Sequence, residues 1–541
     1  MSRLSGFAEK ETAKRIAENS KYGAFAVENF MGGTSYELNP LNTLKIIAAS
    51  SIFGEPQYYR DGLGTPKNID TLTKYSIFPE MFKDSRSAVE IFESAIDSSL
   101  DYDFKGTLDL ALELRSVYFM RLNPSVIFVR ASQHPNRIEF NEMVPGYMKS
   151  IGKKIAERPD DLTNQFEYYM FKNKGKAKLP SLVKRTWAER LEEFSRYQLN
   201  KYKGKKLIDL VRISHASNDD ISELMRTGKL EIKESEKTWE SLKSEGKTWK
   251  EITDTIVIPH MALLRNLRGI FTEVEDRSIA ARILAQLKGG VEKGKQFPFR
   301  YWSAYKAIQG ADVHNKQAIL DTLEECIDIS VGNMPKLNGK VACLSDNSGS
   351  SWGSCNSEYG TVTVAEIANL SSLITALQSD EGVVGVFGDE LSLQPVSKRN
   401  GLLTQLKETS ERGRKQGGGT ENGIWIFWDD AIKNKVHYDT VFIYSDMQAG
   451  HGGLYGHRHT VGSSPYGFDG QGDVHVDVLS MVQEYRRTVN SKVNVFCVQV
   501  AGYNNSVLPE NLYRGAILAG WTGKEPSFAK SIIDIWDSIE S

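Results

Sequence analysis

The chain of 541 residues is long enough for roughly two to four domains with sizeable cores. Its 40% hydrophobic and 25% charged residues are ordinary for a soluble globular protein, and 67 basic against 69 acidic residues make the whole-chain charge uninformative, so only local charge can speak about partners. No apolar run reaches the ~18 residues a membrane helix needs, and the start Met1-Ser-Arg-Leu-Ser-Gly-Phe-Ala-Glu-Lys10 lacks a signal-peptide core, so a cytoplasmic monomer without membrane attachment is expected. Cys326, Cys343, Cys355 and Cys497 are scattered and form no C-x-x-C pair, which argues against a disulfide framework or a zinc site. Cys343 and Cys497 sit in apolar strand patterns and read as small core residues.

Residues 1 to about 335 read as helical, without a strand-turn rhythm. Leu41 to Phe53, Ala88 to Leu100 and Leu108 to Leu122 carry apolar residues at three- and four-residue spacings. Successive amphipathic helices separated by short polar breaks suggest stacked helical pairs, an α-solenoid, although no fixed repeat period is visible.

The segment Lys172 to Lys206 holds twelve basic residues against three acidic ones, a net of +9 over 35 residues. Trp187, Phe194, Tyr197 and Tyr202 are interleaved with them. Cations for phosphates and aromatic faces for unstacked bases are what single-stranded or looped RNA requires. A solvated helix face with ordinary packing aromatics is the competing reading. Beyond it, Leu207-Ile-Asp-Leu-Val-Arg-Ile-Ser-His215 is an apolar helix ending in a histidine, a position that usually packs or caps. Arg265 and Arg268, three residues apart, share one face of the helix Met261 to Ile270.

After the turn-rich Gly332-Asn-Met-Pro-Lys-Leu-Asn-Gly339 the grammar changes: buried strands alternate with helices, a doubly wound α/β pattern whose ligand crevice lies at the carboxyl ends of the strands. The domains are therefore 1–335 and 336–541. Val341-Ala-Cys-Leu-Ser-Asp-Asn-Ser-Gly-Ser350 is a buried strand running into a polar turn with Asp346, Ser348 and Ser350 at alternate positions. One carboxylate and two hydroxyls at a strand end suit a hard cation, Mg2+ above all, left under-neutralised and open to an acidic group from a partner. Downstream, Gly417-Gly-Gly-Thr420 precedes an apolar helical stretch, and Val441-Phe-Ile-Tyr-Ser-Asp446 is a second buried strand ending in a carboxylate.

Gly349-Ser350-Ser351-Trp352-Gly353 also fits the G-x-S-x-G nucleophile elbow of serine hydrolases, with Ser351 as nucleophile. An elbow needs a helix straight after the serine, whereas Gly353, Ser354, Asn356, Ser357 and Gly360 are turn formers. No phosphate loop is present, and the proposed donor set suits ligand capture better than water activation, so no enzyme is expected. The loop around His451, His457 and His459, within the Gly/His-rich stretch 450–472, offers a second metal site, an RNA contact or surface decoration.

The Asp-x-Ser-x-Ser spacing matches the metal-ion-dependent adhesion motif, and Val341 to Ser541 resembles a von Willebrand factor A domain, in which Thr420 and Asp446 would complete the site. The helical half resembles the TROVE domain, the HEAT-like ring of the Ro ribonucleoprotein autoantigen family, through Tyr58-Tyr59, Lys201-Tyr-Lys203, Ile213-Ser-His215, Met261 to Leu267 and Pro298-Phe299. The resemblance implies a helical solenoid closed into a ring by the A domain. It further implies Y RNA on the outer surface, single-stranded 3′ ends of misfolded noncoding RNAs in the central hole, and an exoribonuclease as a partner. Lys201 or Lys203 and His215 would contact Y RNA, and Arg265 and Arg268 are candidates for lining the hole. The alternatives are a metal-dependent protein-binding scaffold with no RNA role, and the hydrolase through Ser351.

Overall fold

The computed structural model describes residues 24–28, 34–49, 88–173, 179–232, 237–349, 351–352, 363–417, 423–445, 478–500, 508, 512–519 and 525–540. The chain divides into two compact units, one formed by Leu38–Ala48 with Val89–Gly246, the other centred on Lys247–Ser541. Among the described residues no helix is long and apolar enough to cross a membrane.

Two short strands, β1 (Ala24–Glu28) and β2 (Thr34–Leu38), pair near the start. They correct the expectation of a purely helical first half. Ala-Phe-Ala-Val-Glu is too short for helical periodicity to register, and its β-branched and aromatic residues favour an extended chain.

The first unit is built from helices: α1 (Pro40–Ala49), α2 (Ala88–Tyr102), α3 (Phe104–Ser116), α4 (Leu122–Gln133), α5 (Arg137–Met143), α6 (Tyr147–Ile155), α7 (Pro159–Lys172), α8 (Ser181–Glu192), α9 (Arg196–Lys201), α10 (Lys205–Ser214), α11 (Asp219–Thr227) and α12 (Trp239–Ser244). The continuous helix expected over Leu108 to Leu122 is broken. α3 ends at Ser116 with Val117 as its C-cap, Phe119 takes a positive φ of 55°, and α4 restarts with Pro124 in its first turn, where a missing N–H costs nothing. The core of this unit gathers Phe166, Tyr169, Trp187, Leu191, Phe194, Leu199, Leu207 and Leu210. Trp187 is fully buried, its Nε1 donating to Gln165 Oε1 at 2.8 Å. Trp187 and Phe194 are therefore packing residues, and the expectation that they offer faces to bases is corrected: both sit on the apolar stripe of the segment that also carries its lysines.

The second unit begins with α13 (Trp249–Thr255), α14 (His260–Glu273), α15 (Arg277–Gly289), the single turn α16 (Val291–Gly294), α17 (Pro298–Gln309) and α18 (Lys316–Val331). It continues through β3 (Leu337–Asp346), α19 (Val364–Leu377), β4 (Ser379–Phe387), β5 (Leu391–Pro395), α20 (Leu402–Gly413), α21 (Gly423–Lys433), β6 (Thr440–Ser445), α22 (Val478–Thr488), β7 (Asn494–Gln499), β8 (Gly515–Ala519) and α23 (Glu525–Glu540). The α/β alternation expected after Gly339 is present as one six-stranded sheet in the order β5-β4-β3-β6-β7-β8. All pairings are parallel except β4 with β5. The edge strand β5 has no counterpart in the sequence reading, because Leu391-Ser-Leu-Gln-Pro395 is half polar and ends in a proline that only an edge tolerates.

Both faces of the sheet are buried, as a parallel sheet requires. Leu344, Val441, Ile443 and Val495 point into a core with Trp425, Phe427, Trp428 and Tyr485 from α21 and α22. On the other face Phe442 stacks on Phe496 at 5.0 Å, Phe496 on Trp536 at 5.6 Å, and Tyr444 shares a hydrogen bond with Thr375. Burial pushes the Cys343 thiol well up and that of Cys326 to about 12, so both are inert filler. The helices preceding the sheet pack against it: Asp328 Oδ1 accepts from Leu402 N at 2.8 Å, capping α20, and Lys306 pairs with Glu366 at 2.8 Å.

Candidate cation centre and nucleic-acid surface

The chain enters the sheet at its middle strand, runs out through β4 and β5, and returns to β6 on the other side of β3. The switch in direction between β3 and β6 opens a crevice at their carboxyl ends. Asp346 ends β3, in register with Phe387 of β4, and Ser445 ends β6. Asp346 is fully buried. Its Oδ1 accepts from Ser348 N at 2.9 Å, an aspartate bonding its own backbone two residues on, and its Oδ2 accepts from Ser445 Oγ at 2.7 Å. The turn is thus shaped by its own carboxylate.

A second layer holds the turn. Asn347 N donates to Phe387 O at 2.8 Å, extending the strand ladder by one bond. The Asn347 and Asn369 amides bond each other reciprocally at 2.8 and 3.0 Å, and Ser345 Oγ donates to Asn369 Oδ1 at 2.6 Å. α20 approaches so closely that a Cβ on Gly413 would stand 2.0 Å from Asn347 Oδ1. Trp352 Nε1 donates to Asn347 O at 3.0 Å, and the Arg414 guanidinium lies 3.8 Å above the indole ring. Asn369→Ala is expected to cost about 1–3 kcal/mol, the penalty of leaving buried donors and acceptors unmet, read as a lower unfolding midpoint. A change within a few tenths of a kcal/mol would mean the amide pair does not brace the turn.

The donor set fits a hard cation. Among the described residues no lysine or arginine pairs with Asp346, so its buried charge is answered only by neutral donors, with the Ser348 hydroxyl close by. Ser350, Thr420 and Asp446 lie outside the described residues, as do the loop 450–472, Tyr58-Tyr59 and Cys355. Among the described residues no group of three or more His, Cys, Asp or Glu side chains converges on one point. Ser351 is buried, its Oγ 3.3 Å from Ser348 Oγ and its carbonyl accepting from Ala365 N, and the next described helix starts only at Val364. Asn369, Trp352, Arg414 and Ser445 were not singled out in the sequence. Ser445 is traceable as the last residue of the second strand, but Asn369 carries no local signal.

The basic segment is less cationic in space than in sequence. Lys172 pairs with Glu93, Arg190 with Glu193, Arg196 with Asp220 and Glu223, Lys201 with Glu240, and Lys206 with Glu167. Lys174, Lys176 and Lys178 lie outside the described residues. Lys203 and Lys205, at the α9–α10 junction, are exposed and make no ion pair among the described residues. His215 is the C-cap of α10 in the left-handed conformation (φ 62°, ψ 29°), which lifts its exposed ring off the end of the helix. Lys201, Lys203 and His215 thus belong to one helix-turn-helix element of the first unit. Arg265 and Arg268 belong to the second, on the exposed face of α14 opposite Leu263, Leu264, Leu267 and Phe271, and neither is ion-paired among the described residues.

The TROVE domain family model matches residues 209–337. No curated protein matches the chain. Among solved structures, the crystal structure of the Deinococcus radiodurans Ro (RSR) protein is similar with a TM-score of 0.59 at 15% identity, over 81% of this chain and 93% of that one. At that identity the likeness speaks for the fold alone, and the sequence link is the stretch 209–337: this chain carries a segment that matches the TROVE domain and is similar in fold to a Ro protein.

Proposed function

We propose that this Ro-type chain is an RNA-binding protein that takes Y RNA on an outer surface carrying Lys203 and His215 and single-stranded 3′ ends of misfolded noncoding RNAs along a surface carrying Arg265 and Arg268. In this reading the protein serves noncoding-RNA quality control or processing in the cytoplasm as a monomer without a catalytic centre of its own. Mg2+ at Asp346, Ser348, Ser350, Thr420 and Asp446 would supply an electrophilic point for an acidic group of a protein partner, such as an exoribonuclease. The observation that carries the reading is the direct run of a TROVE-matched helical segment into a parallel sheet whose central strand ends in a buried aspartate with no lysine or arginine partner among the described residues.

RNA that copurifies from the native cell tests it. Small structured noncoding RNAs should be enriched over a mock purification, and their absence at low ionic strength overturns the proposal. Replacing Lys203 and His215 together by alanine should weaken hairpin RNA binding and flatten its salt dependence by about one phosphate contact per cation removed. The ion pairing of Lys172, Arg196, Lys201 and Lys206 favours the second reading, a metal-dependent protein scaffold, which an RNA-free native preparation would support.

A further inference from the structure

We propose that Lys201 and the Tyr197 hydroxyl form a seat for one backbone phosphate of RNA, and that the Glu240 carboxylate fills this seat when RNA is absent. The inference rests on the RNA-binding reading and adds an occupant to be displaced.

Lys201 Nζ stands 2.9 Å from both Glu240 Oε1 and Oε2, so the ammonium bisects the carboxylate. The Tyr197 hydroxyl donates to Glu240 Oε2 and also lies 3.4 Å from Lys201 Nζ. The ammonium stays over two aromatic rings, 5.6 Å from the Tyr197 centroid and 6.0 Å from that of Tyr202. One cation and one hydroxyl converge on a planar anion at a surface position, since the Lys201 and Glu240 side chains are 40% and 35% exposed. Two oxygens of a phosphodiester present the same pair of acceptors to the same donors.

The carboxylate comes from a different element. Lys201 and Tyr197 belong to α9, whereas Glu240 lies in the first turn of α12, a helix of six residues whose N-cap is Thr238. Ion pairs at this exposure contribute little, so exchange of a carboxylate for a phosphate is energetically accessible. The next residues along the chain are Lys203, Lys205 and Lys206, and an RNA strand lying across the α9–α10 junction would meet Lys203 and the Lys201 seat in succession. Glu240 then sets affinity by competition. It also discriminates against weakly charged ligands, which cannot displace it.

Glu240→Gln keeps the shape and the hydrogen bond to Tyr197 and removes the competing charge. Measured by anisotropy with a labelled RNA hairpin on the full chain, it should bind about 3–10-fold tighter at low salt, with a steeper salt dependence. Lys201→Gln in the Glu240→Gln background should return the affinity to the wild-type value or below, and Tyr197→Phe in that background, which changes no charge, should return part of it, a loss that a general change in net charge does not produce. If the unaltered protein binds the hairpin and Glu240→Gln binds no tighter, the seat is refuted while the RNA reading stands. A gain that survives Lys201→Gln also refutes the seat. If neither protein binds any RNA, the RNA reading falls and the seat with it.

Discussion

Asp161→Ala should lower the stability of the helical unit by about 3–5 kcal/mol, the range measured when one member of a buried ion-pair network is removed. Asp161 is fully buried in the first turn of α7 and serves three groups at once. Its Oδ1 accepts from Arg121 Nε at 2.8 Å, its Oδ2 lies 3.3 Å from Arg115 Nη2, and the same Oδ2 accepts from Arg158 N at 3.1 Å, closing the N-terminal turn of α7. Arg115 is itself 5% exposed and donates its Nε to Ile155 O at 3.0 Å, so its charge stays in the protein when the aspartate is lost. Burial works against the charge of Arg121, but Asp160 and Asp161 outweigh it and push that pKa up. With alanine, Arg115 keeps Glu157, half-exposed at 2.9 Å, as its one charged partner among the described residues, and α7 loses a capping acceptor in addition. Calorimetry should show the transition of this unit about 6–20 °C lower, given ~2–4 °C per kcal/mol for a domain of this size. A shift under about 2 °C would show that the network contributes nothing net. α7 packs beside α10, so RNA binding through Lys203 and His215 should fail only above the lowered midpoint and survive below it.

What the sequence reveals of the site depends on how far its parts are separated along the chain. Asp346 and Ser348 are legible because a buried strand followed by alternating acceptors is a local pattern, and the Asp346 turn forms within three residues. The alternation of strands and helices after Gly339 is equally local, since each strand buried on both faces is an unbroken apolar run. The partners Asn369, Gly413 and Arg414 come from helices 22 or more residues away, and nothing in their own neighbourhood marks them. The +9 stretch failed in the opposite way. A window sees only the charges inside it, while the carboxylates that answer Lys172, Arg196, Lys201 and Lys206 arrive from Glu93, Asp220, Glu223, Glu240 and Glu167. Lys203 emerges as the available ammonium of its pair only once Glu240 is seen against Lys201. The aromatic residues of the stretch were misread for a related reason: Trp187 lies on the buried face of α8 and Phe194 in the turn that follows it, and both pack into the core although lysines flank them in sequence.

Asp346→Ala should abolish cation-dependent stabilisation of the sheet domain and leave hairpin RNA affinity within about twofold, because the two sites draw on different elements. A cation bound to the folded chain alone stabilises it by RT ln(1 + [L]/Kd), about 2.7 kcal/mol at a hundredfold excess over Kd, so titrating Mg2+ into the unaltered protein should raise the midpoint of the transition progressively. The carboxylate is the only formal charge among the described residues of the turn, and without it Ser348 offers a neutral hydroxyl that competes poorly with water for a hard ion. In the absence of cation the variant separates two effects. Losing Asp346 leaves Ser348 N and Ser445 Oγ without their acceptor, which destabilises, but it also removes a buried carboxylate that has no cationic partner among the described residues, which stabilises. The cation-free midpoint should therefore move little, and the difference between the proteins should open only as Mg2+ is added. Equal Mg2+ responses in the two proteins would place the ion elsewhere and remove the basis for an acidic partner at the carboxyl end of β3. Asp346→Asn refines the result, since its single amide oxygen still accepts from Ser348 N, its amide nitrogen can donate to the Ser445 hydroxyl oxygen instead of accepting from it, and the charge is gone: it should stay near the unaltered protein without cation and match Asp346→Ala with it.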